Sequence, residues 1–259
     1  SDQIIENESA VNTNQPPQTD SIRSAKSEKV QPKLKSVDTL ESNKLIIKYD
    51  TNSGELLYSE LKDYAVDLGS DEKIIILDYE KKKYSATSNI QLLNTDIYPV
   101  YNKKNSSRIN TVVLESTNIA GVTLTKEITL LDDTHQIAIR NTIKNNSTKS
   151  IDVRNYETIS RDDNNTASIM LPTYTGSAYY DEENKFSKLS FEDIIDNSQT
   201  VKTQSSWISM IEHYFFSAWL PTSSNKKTIY TSHNQDIYTI GSSTDYSQVT
   251  PSQSLTCLL

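Results

Sequence analysis

Residues 122–143, VTLTKEITLLDDTHQIAIRNTI, carry the pattern that decides the fold. Val122, Leu124, Ile128 and Leu130 alternate with polar residues, broken once by Lys126. Beyond the turn Leu131–Thr134, Ile137, Ile139 and Ile143 alternate again. A strand sends successive side chains to opposite faces, so a period of two marks a half-buried strand where a helix would need 3.6. Two such runs around a short polar turn predict an antiparallel hairpin with one face in the core.

Working outward, the same periodicity holds from Val37 onward. Lys44–Asp50 (KLIIKYD) is a short apolar run closed by the turn residues Asn52-Ser53-Gly54, and Lys73–Tyr79 (KIIILDY) is another. Ile109–Leu114 is β-branched, and a turn at Asn145–Ser150 leads to Ile151 and Val153. Strands about ten residues apart, without a long helical period, indicate a β-sandwich. One helix signal interrupts them. Ser190 is placed to cap a short helix and Asp193 to reach back to it, with Phe191, Ile194 and Ile195 facing inward for about two turns.

Residues 1–37 are different in kind. They hold Pro16, Pro17 and Pro32, no aromatic residue and no Gly, and five acidic residues balance five basic ones. Such a segment cannot bury enough apolar surface to offset its ordering entropy, so it reads as a disordered polar tether. The formal charge of −8 therefore falls on residues 38–259, read as the folded domain. That acidic balance argues against nucleic acid, which needs clustered Lys and Arg. Lys81-Lys82-Lys83 and Lys226-Lys227 are short runs beside turns. Cys257 is the single cysteine, so no disulfide forms within the chain. The most apolar stretch, His213–Leu220, is far below the roughly 20 residues needed to span a bilayer.

Catalytic and metal patterns are weak. His135, His213 and His233 form no HxH or HxxxH pair, there is no CxxC and no GxSxG, and none of the five Gly residues builds a phosphate loop. The expectation is a non-catalytic protein with no metal and no cofactor. Asp132-Asp133 and Asp162-Asp163 read as turn residues, and the acceptor-like Asn164-Asn165-Thr166 as a chance match.

One block stands out. Residues 207–221, WISMIEHYFFSAWLP, gather both Trp residues with Met210, Tyr214, Phe215 and Phe216. Trp207, Met210, Ile211 and Tyr214 fit a helix face, while Phe215, Ser217 and Trp219 alternate as a strand does. Two core strands with a tight bend near Glu212-His213 are favoured, because aromatics favour strands and Pro221 closes the run. On that reading the block is the centre of the core.

This block also resembles the Trp-hydrophobic-x-Met…Tyr-Phe-x-x-Ala-Trp-hydrophobic-Pro pattern of the periplasmic domain of YidC-type membrane protein insertases (the YidC/Oxa family), through Trp207, Met210, Tyr214, Phe215, Trp219 and Pro221. Gly176–Tyr180, followed by Lys185-Phe186-x-Lys188-x-Ser190-Phe191-x-Asp193-Ile194, is similar to a second segment of that family, and Lys44–Leu57 to its opening strand. Gln204-Ser205-Ser206 stands where the family often has Gly-Gly, and residues 94–107 align poorly.

The resemblance implies an all-β, galactose-mutarotase-like β-supersandwich of mostly antiparallel strands with one or two short helices. It implies a place on the periplasmic face of the bacterial inner membrane, with residues 1–37 as the tether after a transmembrane helix and with anchoring helices outside this chain. The implied partners are Sec translocon accessory proteins such as SecDF, and nascent membrane proteins. Tyr179, Tyr180, Lys185, Phe186 and Glu192 are the candidate partner contacts. The competing readings are a ligand- or glycan-binding β-sandwich and a mutarotase-like sugar epimerase.

Overall fold

The computed structural model describes residues 36–259, apart from 96, 164–173, 205, 213, 221 and 223–225. The tether reading of residues 1–37 falls almost wholly outside them, as do His213, Pro221 and Asn164-Asn165-Thr166. The described residues form one compact unit.

The chain opens with β1 (Val37–Glu41), β2 (Leu45–Asp50), β3 (Leu56–Ala65) and β4 (Lys73–Asp78), then a single turn α1 (Tyr79–Lys82). Next come β5 (Ser85–Leu92), β6 (Asn102–Lys104), β7 (Thr111–Ser116), β8 (Val122–Leu130), β9 (Ile137–Asn145) and β10 (Ile151–Asp162). After β11 (Thr175–Asp181) and β12 (Lys185–Leu189), α2 (Phe191–Asp196) is the second helix. The last strands are β13 (Thr200–Thr203), β14 (Trp207–Glu212), β15 (Phe215–Trp219), β16 (Lys227–Asn234), β17 (Ile237–Thr244), β18 (Ser247–Val249) and β19 (Ser254–Leu258).

Three sheets result. A ten-stranded sheet runs β1-β2-β3-β5-β10-β17-β16-β13, with β4 added to β3 and β18 to β10. A five-stranded sheet runs β19-β9-β8-β7-β6 and a four-stranded one β12-β11-β14-β15. The pairings are antiparallel. The architecture is the all-β sandwich expected, with two short helices.

Strand β10 shows how the layers assemble. Its odd residues, Val153 to Arg161, are buried and share one face, since the period is two. Asn155 meets Asn141 of β9, while Arg161 meets Glu212 of β14. The two smaller sheets thus cover successive parts of one face of the large sheet. Ile47, Ile90, Val153 and Ile240 of the large sheet join Leu114, Ile128, Ile139, Ile143, Ile208 and Met210 in one continuous core.

The deciding hairpin forms, with Val122 opposite Asn145 through Leu130 opposite Ile137. Lys126 does not interrupt the pattern: it keeps phase with Leu124 and Ile128 and is fully buried. The capping box at α2 is present too, Ser190 Oγ accepting from Asp193 N at 3.1 Å and Asp193 Oδ2 from Ser190 N at 2.8 Å. Ile195, expected inside, is 53% exposed. At 3.6 residues per turn it lies about 70° from the midline of the buried pair Phe191 and Ile194, and only that side is covered.

The aromatic block is β14 and β15, joined across residues 213–214 as two strands with a bend. It is not the centre of the core. Ile208, Met210 and Trp219 are buried, Trp207 and Phe215 half-buried, and Tyr214 and Phe216 are 82% and 66% exposed. The reason is that this sheet packs on the large one through a single face, so alternate side chains of β15 face water, and Tyr214 lies in the connection before it.

Candidate functional site

The residues singled out for partner contact fall on β11, β12 and α2. Register places Phe186 opposite Tyr180 and Tyr180 opposite Trp207, so three rings form one row across three strands. Tyr180 stacks on Trp207 at 6.4 Å between centroids, and Phe186 tilts against Trp207 at 5.8 Å. Lys185 lies over the Tyr180 ring, and Lys188 over Tyr174 and Phe186. β12 is an outer strand, and Phe186 is 50% exposed on it. Lys185 and Glu192 are exposed as well. Tyr179 is not: it is 5% exposed, because it points to the face opposite Tyr180, into the core. It therefore belongs to the fold, and the surface consists of Tyr180, Lys185, Phe186 and Glu192.

At the other edge of the same sheet, a groove of about 340 Å³ opens between β4 and β15. Ile74, Ile76, Tyr214, Phe215 and Phe216 give it apolar walls. Beneath it, Glu212 accepts from Lys82 and pairs with Arg161 Nη1 at 3.2 Å. Arg161 is fully buried between the Tyr84 and Phe191 rings, its Nε donating to the Asp162 carbonyl at 2.9 Å. Burial holds the Tyr84 hydroxyl far above the usual phenol range, so it remains a neutral donor or acceptor, 2.8 Å from Ser217 Oγ.

A second cavity, about 470 Å³, lies where β19 faces β10 and β16. Its floor is polar. Lys227 Nζ donates to Glu157 Oε1 at 3.2 Å, Asn155 to the same oxygen at 2.6 Å, and Ser242 to Oε2 at 2.6 Å. Asn141 extends the network to Asn155 and Ser88. Glu157 has no exposed surface and Lys227 only 6%. Cys257 borders the cavity, and burial pushes its thiol pKa up, away from a reactive thiolate.

Lys126 makes a third buried charge site. Its Nζ donates to the Ser53 carbonyl at 2.9 Å and sits 5.2 Å from the Tyr101 ring centre. Burial lowers its pKa from 10.5 to about 7, with Glu55 acting the other way. Composition and motifs missed Glu157 and Arg161, took Lys126 for a break in its strand, and placed Lys227 in a run beside a turn, whereas it opens β16 and is buried. One signal was there: Val153, Asn155, Glu157, Ile159 and Arg161 share phase, so polar residues had to lie beside Val and Ile.

The two described histidines, His135 and His233, are exposed and pack against Tyr64 and Tyr238. Neither lines either cavity. Among the described residues no helix is long and apolar enough to cross a membrane.

Comparison with solved structures places the fold. A galactose mutarotase related enzyme from Lactobacillus acidophilus superposes with a TM-score of 0.57 at 7% identity, over 86% of this chain and 95% of its own. A putative aldose 1-epimerase from Escherichia coli K12 gives 0.51 at 10% identity, over 86% and 97%. At such identities the likeness is one of fold alone. Sequence comparison is more specific. Membrane protein insertase YidC of Haemophilus ducreyi is 28% identical over 214 residues, 78% of this chain and 40% of the relative. The YidC of Methylobacillus flagellatus is 28% identical over 227 residues, 80% of this chain and again 40% of the relative. The chain thus spans well under half the length of these relatives. The family model of the YidC periplasmic domain matches residues 38–257, nearly the whole described body, and the chain belongs to that family.

Proposed function

We propose that this chain is a non-catalytic docking module of a YidC-type insertase, held at the periplasmic face of the bacterial inner membrane. In this reading residues 1–37 are the tether from a transmembrane helix. The folded body contacts Sec accessory proteins such as SecDF and supports insertion and folding of nascent membrane proteins. No cofactor enters the scheme.

The observation that carries the reading is the ring row at the free edge of the four-stranded sheet. Aromatic side chains are the usual anchors of a protein interface, with charged groups at its rim, and Phe186, 50% exposed, stands beside Lys185 and Lys188. Glu192 on α2, the helix that follows β12, supplies an exposed carboxylate. The test is photocrosslinking from positions 186 and 192 in the membrane-embedded full-length protein, with Tyr179 as the buried control. Adducts with Sec accessory proteins from 186 and 192, but not from 179, are expected. Normal insertion with no such adduct at either position would remove the docking reading.

A second reading has one observation in its favour. The 470 Å³ cavity with its Glu157, Asn155 and Lys227 floor is of ligand size, and sandwich clefts suit small polar ligands or glycans. Thermal shift against a panel of monosaccharides and oligosaccharides tests it, and a flat response across the panel would dispose of it. Sugar epimerisation needs an acid and a base on opposite sides of a ring, and neither described histidine borders that cavity. The binding form is therefore the stronger of the two.

A further inference from the structure

The four-stranded sheet has two outer strands, β12 and β15. The docking reading uses β12. The other edge has a different character, and it opens into the groove beside β4.

When the face of a strand lines a cavity, alternate residues border it. Here residues 72–76 border the groove consecutively, and so do residues 214–216. Consecutive lining means that the strand edges, with their backbone groups, face the opening. The hairpin register identifies those groups on β15. Glu212 and Phe215 flank a two-residue connection and pair directly, followed by Met210 with Ser217 and Ile208 with Trp219. In an antiparallel ladder these alternate pairs exchange N–H···O bonds. The N–H and C=O of Phe216 and Ala218 consequently point away from β14, and no backbone partner takes them among the described residues.

The charges around the groove are already engaged or balanced. Glu212 is held by Lys82 and Arg161, and Asp78 caps α1 by accepting from Lys81 N. Glu72 and Lys73 are adjacent and opposite in sign. An ionic ligand gains little there. What the walls offer is apolar contact from Ile74, Ile76 and Phe215, and along them runs the outward backbone edge of β15, from Phe216 in the groove to Ala218 just beyond it.

We propose that the β15 edge receives an extended, uncharged, apolar polypeptide segment as an added strand, its backbone pairing with Phe216 and Ala218 and its side chains packing on Ile74, Ile76 and Phe215. Strand addition of this kind draws affinity from main-chain hydrogen bonds and selectivity from pockets for alternate side chains. The site is separate from the β12 docking surface, and it does not need that surface to be correct.

The experiment uses the whole chain and a fluorescein-labelled peptide of alternating Val and Thr with Lys at each end, followed by anisotropy. Saturable micromolar binding is expected. The same peptide N-methylated at every second residue keeps its side chains but loses one row of backbone donors, and should bind at least tenfold more weakly. Ala218→Pro removes the outward N–H while leaving the bonds to β14, since proline is tolerated on an outer strand, and should also cost at least tenfold. Phe186→Ala should leave peptide affinity unchanged, so failure of the docking reading and failure of this one are told apart. Equal binding of parent and N-methylated peptides would overturn the proposal, whatever the fate of the variant. So would no binding at 1 mM peptide (about the weakest affinity of interest, ~4 kcal/mol), binding to phospholipid vesicles instead, or self-association of the chain that Ala218→Pro abolishes.

Discussion

Replacing Lys126 by Met should stabilise this protein, by an amount that depends on pH. The ammonium is buried among Tyr101, Gly54 and the Ser53 carbonyl, and its pKa falls to about 7 from an ordinary 10.5. Below pH 7 the amine is protonated in both folded and unfolded chains, so the folded state bears the whole cost of a buried charge. Between pH 7 and 10.5 the unfolded chain holds a proton that the folded one has released. The unfolded state then binds more protons, and stability rises with pH. The gap between 10.5 and about 7, at about 1.4 kcal/mol per decade, amounts to about 5 kcal/mol.

Methionine fits the volume and carries no charge, but it gives up the bond to Ser53. That loss is about 1 kcal/mol. Lys126→Met should therefore gain about 4 kcal/mol below pH 7, and the gain should shrink toward zero by pH 10. The assay is urea unfolding of parent and variant at pH 6, 8 and 9.5, because other groups titrate in both chains and cancel in the difference. A variant less stable than the parent at pH 6, or a difference that stays constant to pH 9.5, would refute the reasoning.

Other expectations follow from neighbouring contacts. Glu157→Ala strands the Lys227 ammonium at 6% exposure and should cost about 3–5 kcal/mol by urea unfolding, most of it restored in the Glu157→Met, Lys227→Met double variant. Gly54→Ala should cost about 2 kcal/mol, since φ is +69° and a Cβ would stand 2.5 Å from Lys126 Cδ; pairing it with Lys126→Ala should relieve the steric part but leave about 1 kcal/mol of backbone strain. Ser190→Ala removes the α2 cap and should lower stability by about 1 kcal/mol, visible as earlier hydrogen exchange at Asp193 N.

The legible parts of this sequence were those set by local chemistry. Alternation in β8 and β9 gave their hairpin, and Ser190 with Asp193 gave the start of α2. The aromatic block folds as two strands with a bend, yet its place at an outer strand could not be read locally, because which strand ends a sheet is a property of long-range pairing. Tyr179 and Tyr180 show the same limit at single-residue scale: adjacent tyrosines are alike in composition, and only the orientation of β11 sends one into the core and the other to the surface. Lys126 was hardest of all, since a charged residue in phase with Leu and Ile reads as a break rather than as a buried group.

The buried charges have a consequence for the assembly of the large sheet. β17 reads IYTIGSST, and its second half has almost no apolar pattern to hold register against β10. Strands of that kind slip easily, and a slip of one residue turns every side chain to the opposite face. In the observed register Glu157 stands directly opposite Ser242 and accepts its hydroxyl, while Lys227 reaches the same carboxylate from β16. Shifting β17 by one residue so that Gly241 stands opposite Glu157 would remove the hydroxyl and carry Lys227 away, leaving the buried carboxylate only the Asn155 amide of its own strand. That penalty, several kcal/mol, exceeds any difference in apolar packing available to a Gly- and Ser-rich segment. The ion pair therefore contributes little to stability against an apolar equivalent, and acts by excluding the register that puts Gly241 opposite Glu157.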